Sequence, residues 1–321
     1  MPIVLRKLCY VVLMLFIICL LSFGAIHLAP NSFFASGELN PNITQESLDQ
    51  LKKIYGLDKS LWVQFFSWIS SILQLDFGIS FASGKAVKAE ILSRLPVTLW
   101  MNGISMVIVF ILSLYLGMKS ALNQERAFDK GVKQFALLSY AMPSFYLALL
   151  LVLAFSVNWK VFPISGLHSN DMPQGSFLYY ADMAWHLSLP IFVMVFGGVG
   201  SLILYVRSLT LNILKSDYIF FAKSRGIEGF TLFRYYILPN LAPPLVTILG
   251  LSLPGLIGGS VILESIFAID GMGLLFYQSA LSRDYPVIMG ILIISSFLTL
   301  LGNMIADMVL TKLNPHFKRR S

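Results

Sequence analysis

The stretch SDYIFFAKSRGIEGFTLFRYYILPN occupies residues 216–240 and differs from the sequence on either side of it. It holds too many charged residues to cross a lipid bilayer, yet too many apolar residues for a simple solvated loop. It joins two charge-free runs, residues 183–206 and 235–263, each long enough to cross a bilayer as a helix. The stretch therefore lies at the aqueous surface of a membrane protein.

The composition of the whole chain also indicates an integral membrane protein. Only 12% of its 321 residues are charged, whereas soluble domains average about 25%. Because backbone polar groups in lipid must be paired within the spanning segment, the sequence predicts an all-α integral membrane protein with six transmembrane helices. The charge-free runs that predict them are residues 8–29, 95–118, 134–159, 183–206, 235–263 and 285–306.

The distribution of Lys and Arg predicts that both termini are cytoplasmic. An even number of spans puts the two termini on one side, and most basic residues of the short loops fall on that side. The two short loops opposite carry only Lys160 and Arg283, as expected for an outer face. The net charge of +7 follows from this asymmetry, so no nucleic-acid partner is expected.

The predicted spans divide the chain into four parts. Residues 1–29 form a first transmembrane helix with a short cytoplasmic N-terminus, residues 30–94 an extracytoplasmic segment, residues 95–311 a five-helix core, and residues 312–321 a basic cytoplasmic tail. Helical spacing of apolar residues predicts three short amphipathic helices in the extracytoplasmic segment, at TQESLDQLKKIYG, LWVQFFSWISSIL and KAVKAEILSRL.

Residues 216–226 have the signals of a short helix. Ser216 or Asp217 can cap its N-terminus, and Gly226 can take the positive φ that follows a C-terminal cap. Asp217 suits the positive end of the helix dipole, while Lys223 and Arg225 suit the negative end.

A second helical run, FTLFRYYIL, follows this short helix and leads to Pro239. Tyr218, Phe221 and Ala222 stand at i, i+3 and i+4, which predicts one narrow apolar face on the short helix. Such a surface helix suits either a docking element for another protein or a loop anchored in lipid headgroups. From these patterns alone both interpretations stay open.

The spacing in this stretch resembles the cytoplasmic signature of the permease subunits of binding-protein-dependent ABC importers. That signature reads Glu-Ala-Ala, three residues, Gly, nine residues, and Ile-x-Leu-Pro. Ala222, Gly226, Leu238 and Pro239 stand at matching positions. DYIFFAKSRG looks like the Asp-Tyr-x-x-x-Ala-x-x-x-Gly version found in the dipeptide, oligopeptide and nickel branch.

The resemblance to this branch extends over nearly the whole chain. YGLDKSLWVQF, DFGISFASGKAV, RLPVTLW, FPISGL, RDYPVIMG and LNPHFKRR look like its sequence blocks in the right order. LDFGISFAS and IGGSVILESIF are similar to the nickel or metallophore members. The departures are Phe220, Phe221 and Tyr236 within the signature, and Ile269-Asp270 where the branch usually has Trp-Pro before Gly271.

The resemblance implies the type I ABC importer permease architecture in a bacterial inner membrane. Residues 216–226 would be the coupling helix, which sits in a cleft of a separate ATPase subunit. The implied partners are a homologous second permease, two ATPases that bind ATP and Mg, and an extracytoplasmic substrate-binding protein. This chain would hold no cofactor and would not be an enzyme. The implied coupling residues are Asp217, Tyr218, Phe220, Phe221, Ala222, Lys223, Arg225, Gly226, Leu238 and Pro239.

Other candidate sites lie toward the extracytoplasmic side. Glu264 at the end of a predicted span is expected to be structural or gating rather than a metal ligand, together with Gly258 and Gly259. GISFASGK, residues 78–85, lacks the phosphate-loop spacing and is rejected as a nucleotide site. Weak metal candidates are His27, His168 and His186.

The favoured substrate at this point is nickel or a nickel chelate, and the alternative is dipeptides or oligopeptides. A secondary transporter is disfavoured because the sequence has no internal repeat and no carboxylate at mid-span. An intramembrane enzyme is disfavoured because no nucleophile has a matched base at suitable spacing.

Overall fold

The computed structural model of the chain describes residues 3–28, 59–169, 173, 175–253 and 255–313. Within these ranges all regular structure is helical, apart from one isolated bridge between Ile79 and Ala86. The helices of the first half are α1 (Ile3–Leu28), α2 (Leu61–Leu73), α3 (Val87–Leu122), α4 (Ala127–Ala141), α5 (Ser144–Leu151) with a π-helix at Val152–Asn158, and α6 (Phe177–Leu214).

The second half contains shorter helices before the last long one. Pro239 lies in the first turn of the helix Leu238–Ser252, which follows a π-helix at Phe233–Ile237. The helices are α7 (Asp217–Ser224), α8 (Gly229–Leu232) with a π-helix at Phe233–Ile237, α9 (Leu238–Ser252), α10 (Gly255–Gly258), α11 (Val261–Ile266), α12 (Met272–Ser282) and α13 (Tyr285–Leu313).

Among the described residues, three helices are long and apolar enough to cross a membrane, namely α3, α6 and the Tyr285–Ile305 part of α13. A fourth span would be α4 with the segment Ser144–Asn158, but the two parts are bent by 96°. The predicted count of six spans is therefore not confirmed within the described residues. Cys9–Gly24 of α1 is apolar but shorter than these helices.

The predicted span at residues 134–159 is not one continuous helix, because the chain turns at Met142 and Pro143. Pro143 precedes the first residue of α5 with φ −62° and ψ 131°, and Met142 is also extended. A proline disfavours helical backbone in the residue before it, so α4 ends there. The predicted span at residues 235–263 is likewise divided, into α9, α10 and α11.

Of the three short helices predicted between residues 30 and 95, one is present as a separate helix. LWVQFFSWISSIL forms α2, whose Phe65 is buried against Phe23 of α1, with ring centroids 5.3 Å apart. KAVKAEILSRL does not form a separate helix but supplies the first turns of α3, which runs through the predicted boundary at residue 95. TQESLDQLKKIYG lies outside the described residues.

Glycines allow α6 to pack closely against α3 and α4. A Cβ on Gly117 of α3 would lie 2.8 Å from Val206 Cβ of α6. A Cβ on Gly200 of α6 would lie 2.8 Å from Ser139 Oγ and 2.9 Å from the backbone nitrogen of Tyr140. Small residues at such positions let membrane helices approach each other, and both of these sites require glycine.

The Gly200→Ala variant is expected to destabilise the protein by about 1–3 kcal/mol, because the methyl group would force α4 and α6 apart. The matched control is Gly197→Ala on the same helix, where the nearest atom to an added Cβ is 4.0 Å away. That control should be neutral or slightly stabilising, since alanine favours helix over glycine. Thermal unfolding of both variants in detergent measures the difference, and equal transition temperatures would contradict this packing.

Candidate functional site

The short helix predicted at residues 216–226 is α7, and its C-terminus has the predicted turn. Gly226 has φ +76°, its backbone N–H donates to Lys223 at 2.9 Å, and the N–H of Ile227 donates to Ala222 at 3.1 Å. These two bonds form a Schellman motif, in which the residue at positive φ favours glycine. Ser216 precedes the helix, but its hydroxyl donates to the carbonyl of Ile213 at 2.5 Å instead of capping the helix.

The residues of the predicted apolar face of α7 divide between a buried side and an exposed side. Ala222 is buried, but its buried neighbour is Ile219, and both pack against residues of α8 and the following π-helix, including Leu232 and Ile237. Tyr218 is 41% exposed, so it does not share the buried face. The helix is thus held to the rest of the chain through small and aliphatic side chains.

The remaining aromatic residues of α7 face away from the protein. Phe220 is 69% exposed and Phe221 is 64% exposed, although phenylalanine is normally buried. Phe230 and Tyr235 on the following elements are similarly exposed, and sequence analysis did not single them out. The signal that could have found them was the run FTLFRYYIL, whose aromatic residues exceed what one buried face can hold.

The other implied coupling residues lie at both ends of this region. Asp217 begins α7, Lys223 lies in its last turn and Arg225 follows it, and all three are exposed. Leu238 is partly buried and Pro239 is exposed at the start of α9. The structure therefore gathers charged and aromatic side chains on one short exposed helix.

A buried ion pair links the helices that precede α7. Asp129 of α4 accepts hydrogen bonds from Arg207 of α6, at 2.7 Å from Nε and 2.8 Å from Nη2. Its oxygens also accept from Ser120 Oγ at 2.5 Å and from the Glu125 N–H at 2.9 Å. The Asp129 side chain is fully buried. Sequence analysis missed this pair, and its local signal was an acidic residue among the basic residues at the start of α4.

Glu264 is fully buried and connects three helices. Its Oε2 accepts the backbone N–H of Leu274 at 2.8 Å, and its Oε1 accepts the hydroxyl of Thr98 at 3.3 Å. Thr98 Oγ1 in turn accepts the N–H of Met272 at 2.8 Å. A Cβ on Gly259, which has φ +65°, would lie 2.6 Å from Oε1. Glu264 and Thr98 thus join α3, α11 and α12 by hydrogen bonds. Gly258 is the last residue of α10.

Replacing Glu264 is expected to destabilise the region where α3, α11 and α12 meet. Glu264→Ala leaves the N–H of Leu274 and the Thr98 hydroxyl without their acceptor, at a cost of about 1–3 kcal/mol for each buried group. Glu264→Gln keeps an acceptor oxygen and should therefore lose clearly less folding stability than Glu264→Ala. Thermal unfolding of the purified protein ranks the two variants, and equal losses would show that these hydrogen bonds are not the source of stability.

Asp270, which departs from the resembled sequence pattern, has a partner in this chain. Its Oδ1 lies 2.6 Å from Nε of Arg94, and Arg94 also lies 3.8 Å from Glu90. The pair ties the turn between α11 and α12 to the beginning of α3. Since Asp270 is 59% exposed, solvent screens the pair and it contributes little to stability.

Two of the three histidines predicted as weak metal candidates, His168 and His186, lie close to the same carboxylate. His168 Nδ1 lies 3.8 Å from Asp182 and His186 Nδ1 lies 3.5 Å from it, while Asp182 also accepts two hydrogen bonds from Ser169. Burial lowers the pKa of His168, whose ring stacks on Tyr179. Among the described residues no three His, Cys, Asp or Glu side chains are arranged to hold a metal. The side chain of His27 lies outside the described set.

The glycine-rich stretch at residues 78–85 binds a carboxylate of its own chain. The backbone N–H groups of Phe81 and Ala82 each donate to Asp284 at 3.1 Å, and the Ser80 hydroxyl donates to it at 2.5 Å. These donors are therefore already paired with the residue that precedes α13. This geometry agrees with rejecting the stretch as a nucleotide site.

Comparison with known proteins shows similarity along almost the entire chain. Residues 110–319 match the family described as binding-protein-dependent transport system inner membrane component, and residues 1–102 match the N-terminal family of the same systems. The oligopeptide transport system permease protein AppB of Bacillus subtilis is 35% identical, over 94% of each chain. The dipeptide transport system permease protein DppB of Lactococcus lactis is 29% identical, over 98% of each chain.

A solved structure of similar fold supports the architecture. It is described as an inward-facing conformation of the MetNI methionine ABC transporter, with a TM-score of 0.53 and 16% sequence identity. The match covers 70% of this chain and 96% of the other. The chain thus has the fold of a type I ABC importer permease, as the resemblance implied.

Proposed function

The chain belongs to the family of binding-protein-dependent transport system inner membrane components, and on this premise we propose that it is the permease subunit of an ATP-driven importer of short peptides. The observation that carries this proposal is the 35% identity, over 94% of both chains, to a protein named as an oligopeptide permease. The relative named as a dipeptide permease supports the same class of substrate.

Short peptides replace nickel as the favoured substrate. The blocks LDFGISFAS and IGGSVILESIF favoured nickel, but the relatives described above are named as peptide permeases. The absence of a three-ligand group among the described side chains gives nickel no further support. A nickel chelate stays the second candidate, because a chelate delivered by a binding protein needs no ligand from the permease.

The chain is a transport subunit and not an enzyme, so ATP is hydrolysed by a separate subunit. The proposed importer contains two ATPases with ATP and Mg, a second permease homologous to this chain, and an extracytoplasmic binding protein. In this arrangement both termini and α7 lie on the cytoplasmic side, in accordance with the distribution of Lys and Arg.

We assign to α7 the coupling between ATP hydrolysis and transport. Phe220 and Phe221 would fill a cleft of the ATPase, while buried Ile219 and Ala222 hold α7 against the segment that leads into α9. Because packed protein interiors transmit displacement, closure of the ATPases would move α6 and α9 together with α7. The side chains that would orient docking by complementary charge are Asp217, Lys223 and Arg225.

The substrate is tested in a strain that lacks this gene. Uptake of radiolabelled dipeptide and tripeptide is measured in parallel with cellular nickel by mass spectrometry at limiting nickel. Lost peptide uptake with normal nickel, restored by the gene, supports the proposal. Lost nickel with normal peptide uptake would overturn the substrate and leave the architecture and the coupling helix intact.

A cysteine at Phe221 is expected to crosslink to the ATPase subunit, because the side chain of Phe221 is exposed on α7. Cys9 and Cys19 are first replaced by alanine to remove the native thiols. The control is Tyr277→Cys on α12. Tyr277 is 45% exposed, and a cysteine at this position should give no crosslink to the ATPase subunit. If lipid probes label Phe221→Cys and no crosslink to the ATPase forms, the result would instead support a surface helix anchored in lipid headgroups.

A further inference from the structure

Two aromatic rings, one on α3 and one on α4, hold the ammonium group of Lys119 in a defined position. Lys119 Nζ lies 5.2 Å from the ring centroid of Tyr115 and 5.0 Å from that of Phe128, and it donates a hydrogen bond to the Tyr115 hydroxyl at 2.9 Å. An ammonium group over an aromatic face is attracted by the ring quadrupole. A surface lysine otherwise moves freely on its flexible stem, so these contacts order the charge before any ligand arrives.

Lys119 keeps hydrogen-bond donors in reserve and has no acidic partner. Its ammonium group uses one N–H on Tyr115 and has two more, and the Tyr115 hydroxyl still has its own hydrogen to donate. In the described part of the chain no carboxylate forms an ion pair with Lys119, since the nearby Glu125 and Asp129 lie against other cations. These neighbouring donors and the uncompensated charge suit an anion with several acceptor oxygens, such as a phosphate group.

The place of Lys119 along α3 puts this cluster at the surface of the membrane. Lys119 directly follows the charge-free run at residues 95–118. Within that run Val107, Ile111 and Tyr115 are all exposed, at intervals of four residues that form one helix face leading to Lys119. Such a face contacts acyl chains, while aromatic rings and the charged ends of lysines lie at the level of the lipid headgroups. The anion that reaches Lys119 at this level is therefore a headgroup.

The charge of the connection between α3 and α4 favours an anionic headgroup over a zwitterionic one. Arg126 and Lys130 are also exposed and, among the residues that the structure describes, form no ion pair. In the proposed orientation this connection faces the cytoplasm, where the membrane surface has a negative potential and attracts basic residues. A zwitterionic lipid has the same phosphate group, but its own ammonium group would bring a further cation close to Lys119.

We propose that Lys119, Tyr115 and Phe128 form a binding site for the phosphate group of an anionic phospholipid in the inner leaflet. The phosphate oxygens accept hydrogen bonds from Lys119 Nζ and the Tyr115 hydroxyl, while an acyl chain lies along Ile111. Phe128 directly precedes Asp129, which binds Arg207 of α6. A bound lipid therefore stabilises the connection from which Asp129 reaches α6, whatever substrate the importer carries. The assignment to the inner leaflet rests on the proposed orientation, whereas the binding itself does not.

The test measures thermal unfolding of the complete importer in detergent while phosphatidylglycerol is added. The unmodified importer should be stabilised, and Lys119→Gln should need about fivefold more lipid for the same shift, the effect expected of one basic residue at a membrane surface. Lys119→Arg should keep the response, because a guanidinium also stacks on aromatic rings. The matched control is Lys130→Gln, which removes the same charge at an exposed position of α4 and should respond nearly as the unmodified importer does. Phosphatidylcholine should give no shift that depends on Lys119.

Tyr115→Phe keeps the ring, removes the hydroxyl donor and should weaken the response less than Lys119→Gln does; it decides the question should Lys119→Gln fail to assemble. An unchanged response of Lys119→Gln would overturn the site. Equal weakening in Lys119→Gln and Lys130→Gln would also overturn it, in favour of diffuse attraction. The same shift with inorganic phosphate would replace the lipid by a soluble anion. Loss of the ATPase subunits from Lys119→Gln with an unchanged lipid response would assign Lys119 to a protein contact instead.

Discussion

The Arg207→Met variant is expected to lose about 3 kcal/mol of folding stability, at the lower end of the range for breaking a buried ion pair. The Asp129 side chain is fully buried and Arg207 is 15% exposed. Removing the guanidinium leaves the carboxylate with only Ser120 and the Glu125 N–H as close hydrogen-bond donors. Thermal or denaturant unfolding of the purified protein measures the loss.

Two further variants show whether the lost stability comes from an unpaired Asp129 carboxylate or from the substitution itself. The double variant Asp129→Leu with Arg207→Met removes both charges and should recover much of the loss, because no unpaired buried carboxylate remains. Lys133→Met should have a small effect, since its Nζ lies 3.7 Å from Asp129 and its side chain is 33% exposed. A double variant that is less stable than Arg207→Met would contradict the explanation by an unpaired charge.

This ion pair lies close to the start of α7, to which we assigned the coupling role. Arg207 lies in the last two turns of α6, and α7 begins directly after α6 ends. Asp129 joins that end of α6 to α4 and to the end of α3 through Ser120. A displacement of α7 by an ATPase would thus act on three connected helices rather than on α6 alone.

Local signals in the sequence predicted local structure well. Gly226 after Arg225 predicted the turn that ends α7, and the apolar spacing of LWVQFFSWISSIL predicted α2. Both depend on contacts between residues close in sequence, such as the bonds from Gly226 and Ile227 back to α7. The charge-free runs indicated an all-helical membrane protein for the same reason, since the period and length of a helix are visible in a single segment.

Features that depend on distant residues were not predictable in this way. The carboxylate of Asp284 binds the backbone at residues 81 and 82, and Glu264 meets Thr98, so neither pairing leaves a local pattern. The sequence did not indicate that Ile219 is buried beside Ala222 while Tyr218 stays exposed, because hydrophobicity alone does not separate a side chain buried in its own chain from one left exposed. The implied coupling role of the exposed rings stays a prediction.

The Gly226→Val variant is expected to abolish most peptide uptake while the protein still reaches the membrane. Gly226 has φ +76°, a conformation that costs an L-residue roughly 1–2 kcal/mol and a β-branched residue more. Relief of this strain breaks the bond from the Ile227 N–H to Ala222, so α7 would no longer end where its exposed rings are correctly presented. Uptake of labelled tripeptide, normalised to the amount of protein in the membrane, measures the effect.

Two matched variants show whether the turn itself is responsible. Gly226→Asn should keep much of the uptake, because asparagine tolerates the left-handed conformation far better than valine does. Gly131→Val in α4 adds the same side chain at a helical glycine whose added Cβ would meet no atom within 4 Å, and it should transport normally. Normal uptake by Gly226→Val would refute the coupling role of α7. Only Gly226→Val forces a β-branched residue into this turn. Equal losses of uptake in all three variants would therefore point to impaired assembly.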